Sequence, residues 1–360
     1  MGLGVTISAG GPLPDPELAQ ASAVVVEERL GEPTRYAIRY PADTHDGEPR
    51  WVADPRLDPG KDLMIVAGSP PAGECLVFGP VLGHRVQLKH GGAGSVLEVR
   101  GADSSARMDQ STVATAWSGV TDSEAALAIL GGYGYVPDVE STSSRHPEQG
   151  HTLIQRGTDL AFVRRLARRN GFHFWVRANP LGIETAHFRR VSLEGSPAFR
   201  IEINRDPPDT LVLEIEWDIE RPTAVEARQL DLTTKSEIDG RVSESPLPGL
   251  AEQRLLQVAG QRTLHLPAPA DDAGDLRARS QGVLVESDWF IRARCETSVE
   301  TLGAIARPAM LAEVAGAGSR HSGKYLVAAV THVIDDVAHR MTIELWRNAW
   351  GGGASAGGFF

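Results

Sequence analysis

Carboxylates are the residues of this chain with the most chemical promise. Glu214, Glu216 and Asp218 recur at every second position, and a spaced pair of carboxylates is the machinery of glycoside hydrolysis. The same acids alternate with Leu213, Ile215 and Trp217, and that period places them on the outer face of a strand. A solvated face or subunit rim is the reading adopted. His151, His173, His187 and His332 are scattered, without the spacing of a metal-ligand set. Cys75 and Cys295 are the only cysteines, form no CxxC, and read as isolated, half-buried thiols. HExxH and Walker-type loops are lacking. Arg164, Arg165, Arg168 and Arg169 resemble a phosphate patch, but the net charge is −11. They read instead as a solvent-facing or inter-subunit helix face. No catalytic residue, cofactor or metal is expected, and the chain is not read as an enzyme.

The elements that carry these residues change character three times. Residues 1–100 read as β, with alternation at Val24, Val26, Tyr36, Ile38 and Tyr40 and an apolar run from Leu63 to Ala67. Turn signals separate these strands, among them Asp58-Pro59-Gly60 and Ser69-Pro70-Pro71. Residues 101–190 read as an α+β insertion. Thr121 and Glu124 form a capping box for a helix ended by Gly131-Gly132. A second helix over Asp159–Asn170 turns Leu160, Phe162, Val163 and Leu166 to one side and the four arginines to the other. Gly171 would stop it, and Phe172, Phe174 and Val176 then alternate as a strand. Residues 191–348 return to β, interrupted by helices at about Leu250–Gly260 and Ala273–Val285. Residues 349–360 form a Gly-rich tail, flexible by composition.

Composition bounds the role. At 360 residues, 41% hydrophobic and 23% charged, the chain suits two or three globular domains. Its acidity argues against nucleic acid and anionic membranes as partners. The N-terminus lacks a signal-peptide pattern, and no run reaches the ~18 apolar residues of a membrane span. Synthesis and residence in the cytoplasm are expected unless the protein leaves in a larger particle. One internal similarity stands out: Gly60–Gly68 resembles Pro308–Gly316, and each is followed by a short loop and an apolar strand. At face value, the two β regions are copies of one barrel.

The stretch Val96–Val176 resembles the core of the phage late-control protein D family, which includes the hub portion of VgrG. The likeness rests on Leu97–Asp103 and on Gln155–Trp175, with Asp159, Phe162, Leu166 and Gly171 in the recurrent places. It closes on Gly323, Tyr325, His332, Arg347 and Asn348, within His321–Val327, Val330–His332 and Leu345–Asn348. The resemblance implies a mainly β fold of two similar β-barrel domains with an α/β insertion. Three such subunits would form a pseudo-sixfold ring. It implies a structural baseplate hub of a phage tail or contractile injection system. That hub is a homotrimer linking a hexameric inner tube protein to a trimeric spike protein, alongside other baseplate components. Larger members continue into a fused spike; here the spike is expected as a separate polypeptide. The competing reading is a tail-associated peptidoglycan hydrolase.

Overall fold

The computed structural model describes residues 4–42, 50–68, 73–148, 153–231 and 235–351. The expected turn at Ser69-Pro70-Pro71, His151 and the tail beyond Gly351 lie outside them. Twelve strands form one large sheet, labelled here in chain order. The first six are β1 (Val5–Ala9), β2 (Ala23–Arg29), β3 (Arg35–Pro41), β4 (Asp62–Ala67), β5 (Glu74–Gln87) and β6 (Val96–Ala102). The second six are β7 (Phe199–Glu202), β8 (Leu213–Trp217), β9 (Ile291–Ser298), β10 (Leu311–Ala315), β11 (Gly323–Ile334) and β12 (His339–Arg347).

The order along the sheet is a repeat. The first half runs β1-β4-β5-β6-β3-β2 and the second runs β7-β10-β11-β12-β9-β8. Each strand of the first half thus has its counterpart six strands later. The short likeness of Gly60–Gly68 to Pro308–Gly316 falls on β4 and β10. The match extends to irregularities: the β5–β6 register slips between Val81 and Gly83, and the β11–β12 register slips between Val327 and Ala329. A bulge bends a strand, and in both halves it marks where the long strand changes neighbours. One difference breaks the symmetry. β1 runs antiparallel to β4, whereas β7 runs parallel to β10.

Each half wraps its own core, which is why it is barrel-like. Ile7, Val24, Ile38, Leu63, Leu76 and Val99 bring all six strands of the first half together. Ile201, Ala293, Val314, Tyr325 and Ile343 do the same in the second, with Leu213 and Ile215 of β8 packed only partly against them. The wrap is tight at Gly101, where a Cβ would sit 2.1 Å from the Tyr36 ring. Among the described residues neither half closes on itself. Instead β2 pairs antiparallel with β11, Val24 opposite Ile334 through Arg29 opposite Ala329, and this seam joins the halves.

Between β6 and β7 lies the α/β insertion, with its own core. Helix α1 (Asp122–Gly132) carries the reciprocal Thr121–Glu124 capping box. It continues through Gly131-Gly132 instead of stopping before them, because Tyr133 N still reaches the Leu130 carbonyl. Helix α2 (Asp159–Arg169) buries Leu160, Phe162, Val163, Leu166 and Ala167. His173–Ala178 pairs with Glu184–Arg189, which pairs with Val136–Val139. A third long helix, α3 (Ala273–Asp288), lies between β8 and β9 in sequence.

The helix expected over Leu250–Gly260 shrinks to Leu255–Ala259. Gln253-Arg254 pairs with Ala349-Trp350, and Asn348 holds the backbone of Pro248 and Leu250, so the chain ahead of Leu255 is tied outside a helix. Cys75 and Cys295 are fully buried, not half-buried. No described helix is long and apolar enough to cross a membrane.

Candidate assembly interface

The seam fixes what a strand-to-strand junction looks like in this protein. Glu28 of β2 accepts from Arg307 Nε (2.9 Å) and Nη2 (2.7 Å) and lies 3.1 Å from His332 Nε2 on β11. Arg307 also donates to the Cys75 carbonyl at 2.6 Å. Burial alone would raise the Glu28 carboxyl, but the Arg307 guanidinium and His332 overcome it and hold it down to about 2. His339 lies 2.9 Å from His332, and burial together with His332 pushes its imidazole down to about 4.

Two further edges are the symmetry mates of this seam. β8 is the counterpart of β2, and Val81–Gln87 of β5 is the counterpart of the part of β11 that β2 covers. β4 covers β5 only as far as Pro80, and β8 pairs only with β9. Among the described residues, neither remaining edge has a strand partner. Both carry bare apolar side chains: Leu82 (56% exposed), Val86 (43%) and Leu88 (58%) at one, Leu211 (88%), Val212 (69%) and Trp217 (47%) at the other. Folded chains seldom leave long apolar edges open, because such an edge templates further pairing. Glu214, Glu216 and Asp218 are exposed as the alternation indicated, but the opposite face of β8 is only half covered by this chain.

The residues that carried the sequence resemblance sit within the framework. Asp159 opens α2 and accepts from Tyr133 (2.8 Å) and Gln155 (2.5 Å). Phe162 and Leu166 sit in the insertion core. Gly171 takes φ 68°, and a Cβ there would meet Val285 at 2.9 Å, so it lets α2 abut α3. Gly323 opens β11, and buried Tyr325 donates to the His321 carbonyl at 2.8 Å. Buried Arg347 lies over the Tyr325 ring and donates to the Gly351 carbonyl at 2.6 Å. His332 is at the seam. Asn348 pins the 248–250 segment.

The four arginines do not form one face. Arg164 donates to the Gly31 carbonyl and Arg165 to the Ile154 carbonyl, each at 2.8 Å. Arg169 points into a buried network, 2.9 Å from Asp122 and 2.6 Å from Asp275. The reason is α3, which arrives on the side of α2 that the pattern of α2 alone leaves to solvent. Only Arg168 is exposed without a partner among the described residues. The centre of that network, His146, went unremarked in the sequence. Its Nδ1 lies 2.5 Å from Asp271 and its Nε2 2.8 Å from Asp122. His146, Asp271 and Asp275 are close enough to share a cation, but Arg169 and Arg279 already supply positive charge to Asp275. No local spacing announces this cluster, since Asp271 and Asp275 lie more than a hundred residues from His146. His187 pairs with Asp138 at 2.7 Å, and His173 is packed against the β2–β3 turn at Gly31.

The fold is shared with solved tail proteins and with a type VI secretion component. The chain is similar to the tail protein of prophage MuSo2 from Shewanella oneidensis at 14% identity and a TM-score of 0.65, over 96% of this chain and 98% of that one. It is similar to a tail protein of Neisseria meningitidis at 12% identity and a TM-score of 0.66, over 96% of both chains. A third likeness is to an E. coli component of the type VI secretion system, itself described as structurally similar to T4 bacteriophage tail proteins gp27 and gp5. It has 15% identity and a TM-score of 0.57, over 98% of this chain and 79% of that one. At these identities the likeness establishes the fold. Over residues 46–336 the chain matches the model of the Alg8 N-terminal domain family, and it belongs to that family. No curated protein matches it by sequence.

Proposed function

We infer that the chain is a structural tail component, the central hub of the baseplate of a phage tail or contractile injection system. Three copies close head to tail into a ring of six barrel-like units, joining a hexameric inner tube to a separate trimeric spike. The role is mechanical and templating. The observation that carries this reading is the repeated strand order with one internal seam and two open edges that are mates of its two sides. Complementary surfaces on the two flanks of a chain generate a ring when the rotation closes.

Transposing the seam onto the open edges gives a register. Leu213 of one copy falls opposite Leu88 of the next, Ile215 opposite Val86, Glu216 opposite Arg85 and Trp217 opposite His84. Apolar side chains meet apolar, and an acid meets a base, as paired strands require. The fold shared with named tail proteins and a secretion component supports the same setting.

The test is native mass spectrometry of the purified chain together with a paired-cysteine variant, Ile215→Cys with Val86→Cys. A species of three times the 38.6 kDa chain mass, locked by disulfides between copies under oxidation, is expected. A monomer that forms no crosslink would refute the ring. Clearing of a peptidoglycan zymogram would favour the hydrolase instead.

A further inference from the structure

Where α2, α3 and the sheet meet, the surface opens into a cleft of about 320 Å³. Five guanidiniums line it: Arg29 ending β2, Arg164 and Arg168 on α2, Arg221, and Arg292 on β9. Against them stand two carboxylates, Glu32 and Glu286. On a chain of net charge −11 this is a local excess of cations.

Three of the five are occupied. Arg29 grips Glu344 at 2.9 Å, Arg221 lies 3.3 Å from Asp218, and Arg164 donates to the Gly31 carbonyl. Arg168 and Arg292 are exposed and have no hydrogen bond or ion pair among the described residues. The floor holds a further unmet donor. Trp289 is 4% exposed, its Nε1 has no acceptor among the described residues, and its ring lies 5.9 Å from that of Trp346. His173 adds no charge, because burial pushes its imidazole down to about 4.

What the cleft lacks, among the described residues, is an acceptor bonded to Arg168, Arg292 or Trp289, and the paired tryptophans favour one carried on an apolar body. Guanidinium forks match planar carboxylates in two-pronged pairing. α2 and α3 both reach the cleft at their C-terminal ends, whose partial negative charge opposes a phosphate dianion more than a carboxylate.

We propose that the cleft docks an acidic segment of a partner protein. A glutamate or aspartate engages Arg168 and Arg292 while an apolar neighbour lies against Trp289 and Trp346. No docking residue lies on β8 or on the open part of β5, but Arg292 stands opposite Glu216 of β8, so the mass of each variant by light scattering is read alongside binding to keep this site and the ring apart.

The test is fluorescence anisotropy with the full chain and a labelled, end-blocked peptide of alternating glutamate and leucine. Saturable binding at low salt is expected, with a change in tryptophan emission. The Arg168→Glu, Arg292→Glu double variant should lose about tenfold or more in affinity. Arg277→Glu, an exposed change elsewhere, should lose little, and thermal melts report whether each variant folds. The proposal is overturned if a glutamine–leucine peptide binds as well, if the double variant folds and binds unchanged, or if no binding occurs. Displacement of the peptide by equimolar inorganic phosphate would also overturn it, marking a site for free oxyanions.

Discussion

Arg307 and Glu28 meet at 2.7 Å with both side chains withdrawn from water, across the seam between the two halves of the sheet. Arg307 reaches the seam from the segment ahead of β10 and binds the Cys75 and Leu76 carbonyls of β5 as well. One side chain thus ties its own segment to two strands, β2 and β5. Removing one partner of a buried pair strands the other charge, at a cost of roughly 3–5 kcal/mol. Arg307→Ala should therefore lower stability by about that amount in urea titrations. Exposed Arg294→Ala should change it by less than about 0.5 kcal/mol.

Acid should attack the same joint. The folded Glu28 carboxyl titrates at about 2, below its ordinary 4.5. Stability from this group is present above pH 4.5 and drains away as pH falls toward 2. Glu28→Gln should flatten that acid limb in melts taken across the window, while lowering stability near neutrality.

The opposite sign holds at His146. Burial opposes its proton, but hydrogen bonds from the imidazole to Asp122 and Asp271 prevail and raise it above the ordinary 6.5. Arg169 pairs with Asp122 and Asp275, and Arg279 with Asp275, so a charged imidazole balances Asp122, Asp271 and Asp275 with three cations. Its contribution is complete below pH 6.5 and is lost as pH climbs through the raised value. Hydrogen exchange at the starts of α1 and α3, corrected for intrinsic rates, should quicken over that range. His146→Gln should abolish the pH dependence.

Charge reversal tests the edge register independently of the cysteine pair. Glu216→Arg places like charge against Arg85 of the next copy and should shift light-scattering mass toward monomer. Adding Arg85→Glu should restore the assembly. A double variant no better assembled than the single one would discard this register.

Gly171→Ala tests the close approach of α2 to α3. It combines a positive φ with a contact of 2.9 Å to Val285. A loss of about 1–3 kcal/mol is expected in thermal or urea unfolding.

Local signals were readable in the sequence, and distant ones were not. The Thr121–Glu124 box and the buried row of α2 are patterns within a few residues, and both stand in the fold. The nine-residue likeness of β4 to β10 pointed at a duplication whose full extent only the strand order displays. Alternation in β8 identified a strand but not its cover, because periodicity cannot say which chain buries an apolar face. Arg169 seemed to look outward for a related reason. The acids that claim it sit on α1 and at the start of α3, brought close only by the packing of the whole molecule.

The reversal of β7 relative to β1 has a consequence for stoichiometry. The polypeptide enters its two sister units from opposite ends, the second time straight out of the insertion. A ligand that grips only features common to both units finds two handholds per polypeptide. One that grips an entry segment finds a single handhold.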